Sequence, residues 1–296
     1  MNVLIEQLEA HGPVITDGAW GTQFLAAGLA AGECPDVLNL THPEQVEAVA
    51  RAYVEAGSQV ILTNTFRANR VALARHGLAQ RVREVNVRGV EISRRAAGGD
   101  AHVFASLGPS GKLLITGEVS EDELRAAYAE QAQALAEAGA EALVFETMSD
   151  LGEAKIGLAA ARSTALPVIV SLAFDSGRQL DRTLMGIKPE VAAAELTAAG
   201  ADALGANCGQ GIEGYRALCH RMRQSSPLPL WMKPNAGRPE LIEGRARYTT
   251  TPQAFAAHAP AVLAAGASFL GGCCGTNPEF IRALRKVTSD PLRRDK

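Results

Sequence analysis

The chain has 296 residues, 47% apolar, 21% charged and 5% aromatic, which fits a globular protein with a sizeable core and excludes disordered, collagenous and coiled-coil chains. Its 29 basic and 32 acidic residues leave a formal charge of -3, without the basic footprint that nucleic acid or an anionic membrane surface requires. Glu6 and Glu9 interrupt the N-terminus where a secretory signal needs an apolar run, and no stretch reaches the ~18 apolar residues of a membrane span; five irregularly spaced cysteines do not form a secreted disulfide framework, so the expected compartment is a reducing cytoplasm.

In chain order, a first apolar strand is predicted at 13–16, followed by a loop and a helix over 43–56 that runs into AGSQVILTN at 56–64. A helix over 80–97 leads to a strand at 102–107, and a helix over 121–138 to AGAEALVFE at 138–146. Helix 151–162 precedes a strand at 167–173, helix 189–199 precedes AGADALGAN at 199–207, and helix 212–224 precedes a strand at 228–232. Helix 252–265 feeds AGASFLGGC at 265–273, and a last helix covers 278–287. The four AG phrases are copies of one junction. In each, Gly57, Gly139, Gly200 or Gly266 suits a left-handed helix C-cap, and an apolar strand begins within three residues. Pro43, Pro189, Pro252 and Pro278 suit first helical turns, where no amide donor is lost.

Eight strand–helix units with continuous rather than alternating apolar strands predict an α/β fold, a single-domain (β/α)8 TIM barrel over 1–290 with a short tail at 291–296. The rival, an open doubly wound sheet, usually carries GxGxxG after its first strand; DGAWGTQF stands there. In a barrel the chemistry lies at the C-terminal ends of the strands. Those ends carry Asp17, Asn64, Glu146, Asn207 with Cys208, Asn235, and Cys273 with Cys274. Any single Asp or Asn there is more often structural, placed by turn and cap chemistry.

The cysteines are different. Cys208 and the Cys273–Cys274 pair end the sixth and eighth strands, so three thiolates can converge at the barrel mouth, provided the backbone leaves strand geometry so that adjacent cysteines share one target. Gly271, Gly272 and Gly275 give that freedom. Three thiolates suit a tetrahedral Zn2+ with one open position. A vicinal disulfide or two inert thiols are the alternatives. A zinc held by three thiolates keeps a fourth, substrate thiolate nucleophilic, which points to alkyl transfer to sulfur. Asp17 and Glu146 suit the ammonium of an amino-acid substrate, and the Gly18 and Ala19 amides its carboxylate. Cys34 and Cys219 lack such surroundings and read as spectators.

At DGAWGTQF, TNTF (63–66), FETMSD (145–150), GANCG (205–209) and GGCCGT (271–276) the sequence resembles the homocysteine S-methyltransferase family over essentially its whole length. The resemblance implies zinc held by Cys208, Cys273 and Cys274, activation of homocysteine on that zinc, and methionine as product. It also implies an amino-group site at Asp17 and Glu146. The PNAG segment places Asn235 near the metal, with a turn role as the alternative; Asn207, next to Cys208, is a further substrate candidate.

The donor is read from side chains that are missing. A betaine site needs an aromatic cage for its quaternary ammonium; Arg67 and Thr147 occupy positions where the betaine enzymes carry tyrosine, and Trp20 alone is not a cage. A methylcorrinoid on a separate protein is therefore expected ahead of S-methylmethionine or betaine, since the sequence leaves no room for a corrinoid module. Another small thiol as acceptor, or a zinc-binding barrel serving as scaffold or thiol sensor, are the competing readings.

Overall fold

The structure is a computed structural model that describes residues 2–30, 32–242 and 245–288; the tail expected at 291–296, and the last residues of the expected 1–290 barrel, lie outside these. Eight parallel strands form the barrel: β1 (Val14–Ile15), β2 (Val60–Ile61), β3 (His102–Leu107), β4 (Ala142–Met148), β5 (Val168–Leu172), β6 (Ala203–Gly211), β7 (Leu230–Asn235) and, after a short antiparallel hairpin of β8 (Glu240–Ile242) and β9 (Arg245–Arg247), β10 (Ala267–Leu270). The hydrogen-bonded order runs β1-β10-β7-β6-β5-β4-β3-β2, and a parallel bridge between Thr16 and Val60 brings the two ends together. Helices between successive strands cover the outside.

All four AG junctions have one geometry. The helices Pro43–Glu55, Glu121–Glu137, Pro189–Ala198 and Ala259–Ala264 stop one residue before the alanine, and Gly57, Gly139, Gly200 and Gly266 follow with φ of 96°, 92°, 87° and 109°. At three of them the amide after the glycine reaches back to the helix, Ser58 N–H to Tyr53 O at 3.1 Å, Ala140 N–H to Leu135 O at 3.1 Å and Ala201 N–H to Leu196 O at 3.0 Å, closing the Schellman turn that starts the next strand in a fixed direction.

Expectations change at several points, among them short helices at Gly21–Ala26, Leu38–Thr41 and Arg70–Ala74 where loops were expected. The helix expected over 252–265 is two, Pro252–Ala257 and Ala259–Ala264, because Pro260 has no amide hydrogen to continue the first. A helix at Val3–Glu9, capped by the Asn2 side chain, precedes the barrel. The hairpin β8–β9 is a further addition between β7 and the helix that follows.

Period-two alternation sorts each strand into two cores. Leu143, Phe145, Val170, Leu204 and Met232 face the helices. Val14, Val60, Phe104, Ala142, Val144, Ile169, Ala203, Trp231 and Phe269 fill the barrel, with Ile5 of the first helix packed among them. Trp231 fills the middle, 6.2 Å from the Phe104 ring and 5.3 Å from that of Phe269. Space beside it is obtained at Gly205, where a Cβ would lie 1.8 Å from the Trp231 carbonyl oxygen. That atom is backbone and cannot move aside. Gly205→Ala is therefore expected to cost about 2 kcal/mol or more, read as a fall in the thermal or denaturant midpoint, while Gly21→Ala, where nothing lies within 4 Å, shifts it little. Equal midpoints for the two variants would refute the close approach.

Candidate metal and substrate site

Continuing the inward alternation one step toward the C-terminal ends replaces the apolar layer with a polar one. Two residues beyond Phe104, Val144, Ile169, Gly205 and Trp231 stand Ser106, Glu146, Ser171, Asn207 and Lys233. Of these, Ser106, Glu146 and Lys233 form the floor of a cavity of about 270 Å3 at the barrel mouth, whose walls include Gly18 to Thr22, Phe66, Arg67, Thr147, Cys208, Cys273 and Cys274, while Ser171 and Asn207 lie behind it.

The three cysteines predicted to converge do so, their sulfurs lying within 4.8 Å of one another, Cys208 Sγ to Cys274 Sγ at 3.8 Å. Cys208 reaches the cluster with φ 63° and Gly209 follows with φ 73°. On the other side the backbone leaves β10 through Gly271 and Gly272, where any Cβ would collide with Thr16, Asp17 or Thr276. Cys273 N–H donates to Pro234 O at 2.7 Å and Ala236 N–H to Cys274 O at 3.0 Å, so the cysteine loop is stitched to the end of β7. Gly275, at φ 81°, leaves room for the ring of Tyr248.

Without a cation three thiols this close cannot all ionise. Hydrogen bonds from Cys273 and Cys274 lower Cys208 to about 3, while proximity to Cys208 raises Cys273 and pushes Cys274 up to about 12. The remaining two cysteines lie elsewhere, and burial pushes both Cys34 and Cys219 up to about 12.

Asn207, expected as a substrate contact, is wholly buried and engaged by protein. Its Oδ1 accepts from the Thr147 amide and the Ser171 hydroxyl, both at 2.7 Å; its Nδ2 donates to Thr147 Oγ1 at 2.6 Å and toward Cys273 Sγ at 3.8 Å. It thereby holds Thr147 at φ 60°, a conformation rare for a β-branched residue. Asn235 is buried beside Cys208, whose thiol pKa it helps to lower, and its Oδ1 has no partner among the described residues.

The acidic pair separates. Glu146 borders the cavity, accepting from Ser106 Oγ at 2.5 Å; burial raises its pKa, against the pull of Lys233. Asp17 is fully buried: one oxygen pairs with Lys233 Nζ and the other accepts Trp20 Nε1–H at 2.7 Å and Leu62 N–H at 2.8 Å. Gly18 and Ala19 line the cavity, but the Ala19 amide donates to Thr276 Oγ1 at 3.1 Å. Asn64 is a clip, its Nδ2 donating to Pro35 O and Asn39 Oδ1. Arg67 is exposed at the rim, its amide held by Asp36 Oδ1 at 2.9 Å.

Lys233 was the residue missed by sequence reading. Burial disfavours its charge, but Asp17 and Glu146 outweigh this and raise its pKa. Its signal was present: a lysine inside the apolar run LPLWMKP.

A model of the homocysteine S-methyltransferase family matches residues 14–288. The methionine synthases of Mycobacterium leprae (strain TN) and Mycobacterium tuberculosis (strain ATCC 25618 / H37Rv) are 32% and 30% identical, each over 95% of this chain; the chain spans only 24% and 25% of their lengths. The metallated form of the homocysteine methyltransferase MmuM from Escherichia coli superposes with a TM-score of 0.80 at 25% identity, covering 96% of this chain and 99% of that one. Its apo form, at 24% identity and a TM-score of 0.73, shares the fold. The chain belongs to the homocysteine S-methyltransferase family.

Proposed function

We propose that this chain methylates the sulfur of homocysteine to give methionine, using Zn2+ held by Cys208, Cys273 and Cys274. The observation that carries this is the meeting of three sulfurs within 4.8 Å in the wall of a cavity whose floor is charged. The donor set fits the metal: soft thiolates select zinc, and three of them leave one tetrahedral position open. An unpartnered Asn235 Oδ1 buried beside Cys208 fits a site built around a cation. When bound, the zinc supplies the positive charge that lets an acceptor thiol lose its proton near neutral pH.

The protein's own residues do the rest. Asn207 orients Cys273 through its amide and fixes Thr147 at the cavity edge. Ser106 fixes Glu146, whose carboxylate is the cavity-facing partner for the acceptor's ammonium. Above the sulfurs the aromatic wall consists of Trp20 and Phe66 among the described residues, and Trp20 is tied to Asp17 through its indole N–H. Two such rings do not enclose a quaternary ammonium, and Arg67 at the rim repels one. The donor we favour is thus a methylcorrinoid on another protein, ahead of S-methylmethionine or betaine. Five free cysteines suit a reducing cytoplasm, and no helix among the described residues is long and apolar enough to cross a membrane.

Metal analysis of the purified protein tests the centre. Cys208→Ser, Cys273→Ser and Cys274→Ser are each expected to lose stoichiometric zinc while far-UV circular dichroism stays native. Zinc retained by any one of them removes that residue from the ligand set, and collapse of the fold on zinc loss makes the metal structural rather than catalytic.

The donor is tested by initial rates of methionine formation from homocysteine with methylcobalamin, betaine, S-methylmethionine and S-adenosylmethionine at matched concentrations. Turnover with methylcobalamin and little with betaine is expected; brisk betaine or S-methylmethionine turnover with none from methylcobalamin reverses the donor preference and leaves the zinc chemistry standing.

A further inference from the structure

Two carboxylates at a barrel mouth suggest joint capture of one ammonium, but here they face different partners. Asp17 sits behind the cavity wall, fully buried, with three donors on its two oxygens: Lys233 Nζ, Trp20 Nε1 and Leu62 N. Glu146 is on the cavity side, and no donor among the described residues reaches its second oxygen. Between them stands Lys233, with a side chain 3% exposed that nevertheless forms part of the cavity wall. One of its N–H bonds goes to Asp17; the other two meet no acceptor among the described residues, and the Trp231 ring lies 5.7 Å from Nζ. The cavity floor thus offers one cation and one anion, side by side.

An α-amino acid presents the complementary pair. Of the two amides expected to receive its carboxylate, Gly18 and Ala19, that of Ala19 is already engaged by Thr276, and neither carries the full charge that Lys233 offers. A buried ion pair is moreover a poor way to stabilise a strand, since an apolar side chain of similar volume does so at no desolvation cost; a lysine following Leu230, Trp231 and Met232 needs another purpose.

We propose that Lys233 receives the α-carboxylate of the acceptor thiol while Glu146 receives its ammonium, and that Asp17 is a positioning residue that aims Lys233 rather than a substrate ligand. The inference rests on the methyl-acceptor reading above and names its substrate class: a zwitterionic amino-acid thiol, selected at both charged ends.

Calorimetric binding to the zinc-loaded protein tests this with three ligands of one chain length: homocysteine, 3-aminopropanethiol, which lacks the carboxylate, and 4-mercaptobutyrate, which lacks the ammonium. Lys233→Met is expected to weaken homocysteine and 4-mercaptobutyrate by about 10–100-fold, the equivalent of one charge-assisted hydrogen bond, and to leave 3-aminopropanethiol no weaker than in the wild type. Because that variant strands a buried carboxylate, the neutral pair Asp17→Asn/Lys233→Met is measured beside it and gives the same pattern. Glu146→Gln gives the converse, weakening the amine and sparing the acid. Asp17→Asn alone follows the lysine pattern.

Lys233 variants that weaken the amine as much as the acid, or that leave homocysteine affinity intact, overturn the assignment, as does Asp17→Asn behaving like Glu146→Gln. A wild-type protein that holds zinc but binds none of the three thiols overturns the acceptor reading itself and this assignment with it; binding that ignores Lys233 overturns the assignment only.

Discussion

Three sulfur atoms on two strands can meet only if the backbone abandons strand geometry at both places, and much of the barrel mouth is arranged around that departure. On a regular strand Cys273 and Cys274 would point to opposite faces. Here Gly271 and Gly272 sit where no Cβ fits, the Cys273 amide bonds to Pro234 O, and the Cys274 carbonyl accepts from Ala236 N–H. Opposite them Cys208 stands at φ 63°, at a cost of order 1 kcal/mol for a residue with a Cβ. The Tyr215 hydroxyl donates to the Cys208 carbonyl at 2.8 Å and helps hold that conformation. Two left-handed non-glycine residues, Cys208 and Thr147, flank Asn207 in space, and its one side-chain amide bonds both Thr147 and the Cys273 sulfur. The strain and its restraint are thus parts of one network.

Below the sulfurs the barrel separates stability from chemistry by depth. The lower layers are apolar, filled by Trp231, Phe104 and Phe269, with Ile5 entering from the first helix. Two residues higher on the inward faces of β3 to β7 stand Ser106, Glu146, Ser171, Asn207 and Lys233, whereas β2 continues with Leu62. The change is abrupt because a strand rises only about 3.3 Å per residue, so one inward step places Lys233 just above the Trp231 ring. A charge there is desolvated on its lower side, which is why it carries a fixed counter-ion in Asp17.

Much of this was legible in the sequence because it rests on local rules. The four AG junctions give both the helix stop and the strand start, and their glycines have the positive φ that the phrase implied. Continuous apolar runs gave a parallel sheet, and the topology made cysteines distant in sequence into neighbours at the mouth. What was not legible depends on which face a side chain takes. Asp17 and Glu146 look equivalent as acidic residues at strand ends, yet only Glu146 keeps the inward parity of its strand; β1 ends before Asp17, whose side chain turns behind the wall. Asn207 and Cys208 are adjacent, and only the left-handed turn at Cys208 directs its sulfur to the cluster while Asn207 is consumed inside. The break at His258 was signalled by Pro260 and overridden by the alanine-rich periodicity around it.

The placement of Lys233 also bears on how the cavity distinguishes its ligands. A carboxylate in a low-dielectric site attracts any cation, so Glu146 alone gives affinity for amines without choosing among them. An adjacent fixed cation changes that: it repels a simple ammonium and favours one that brings its own anion at the spacing of an amino acid. Selectivity then follows from the pair rather than from either charge. A third group, Asp17, supports the pair: together with Glu146 it keeps the almost fully buried Lys233 ionised against the cost of desolvation. The acidic residue most conspicuous in the sequence thus acts one step removed from the ligand.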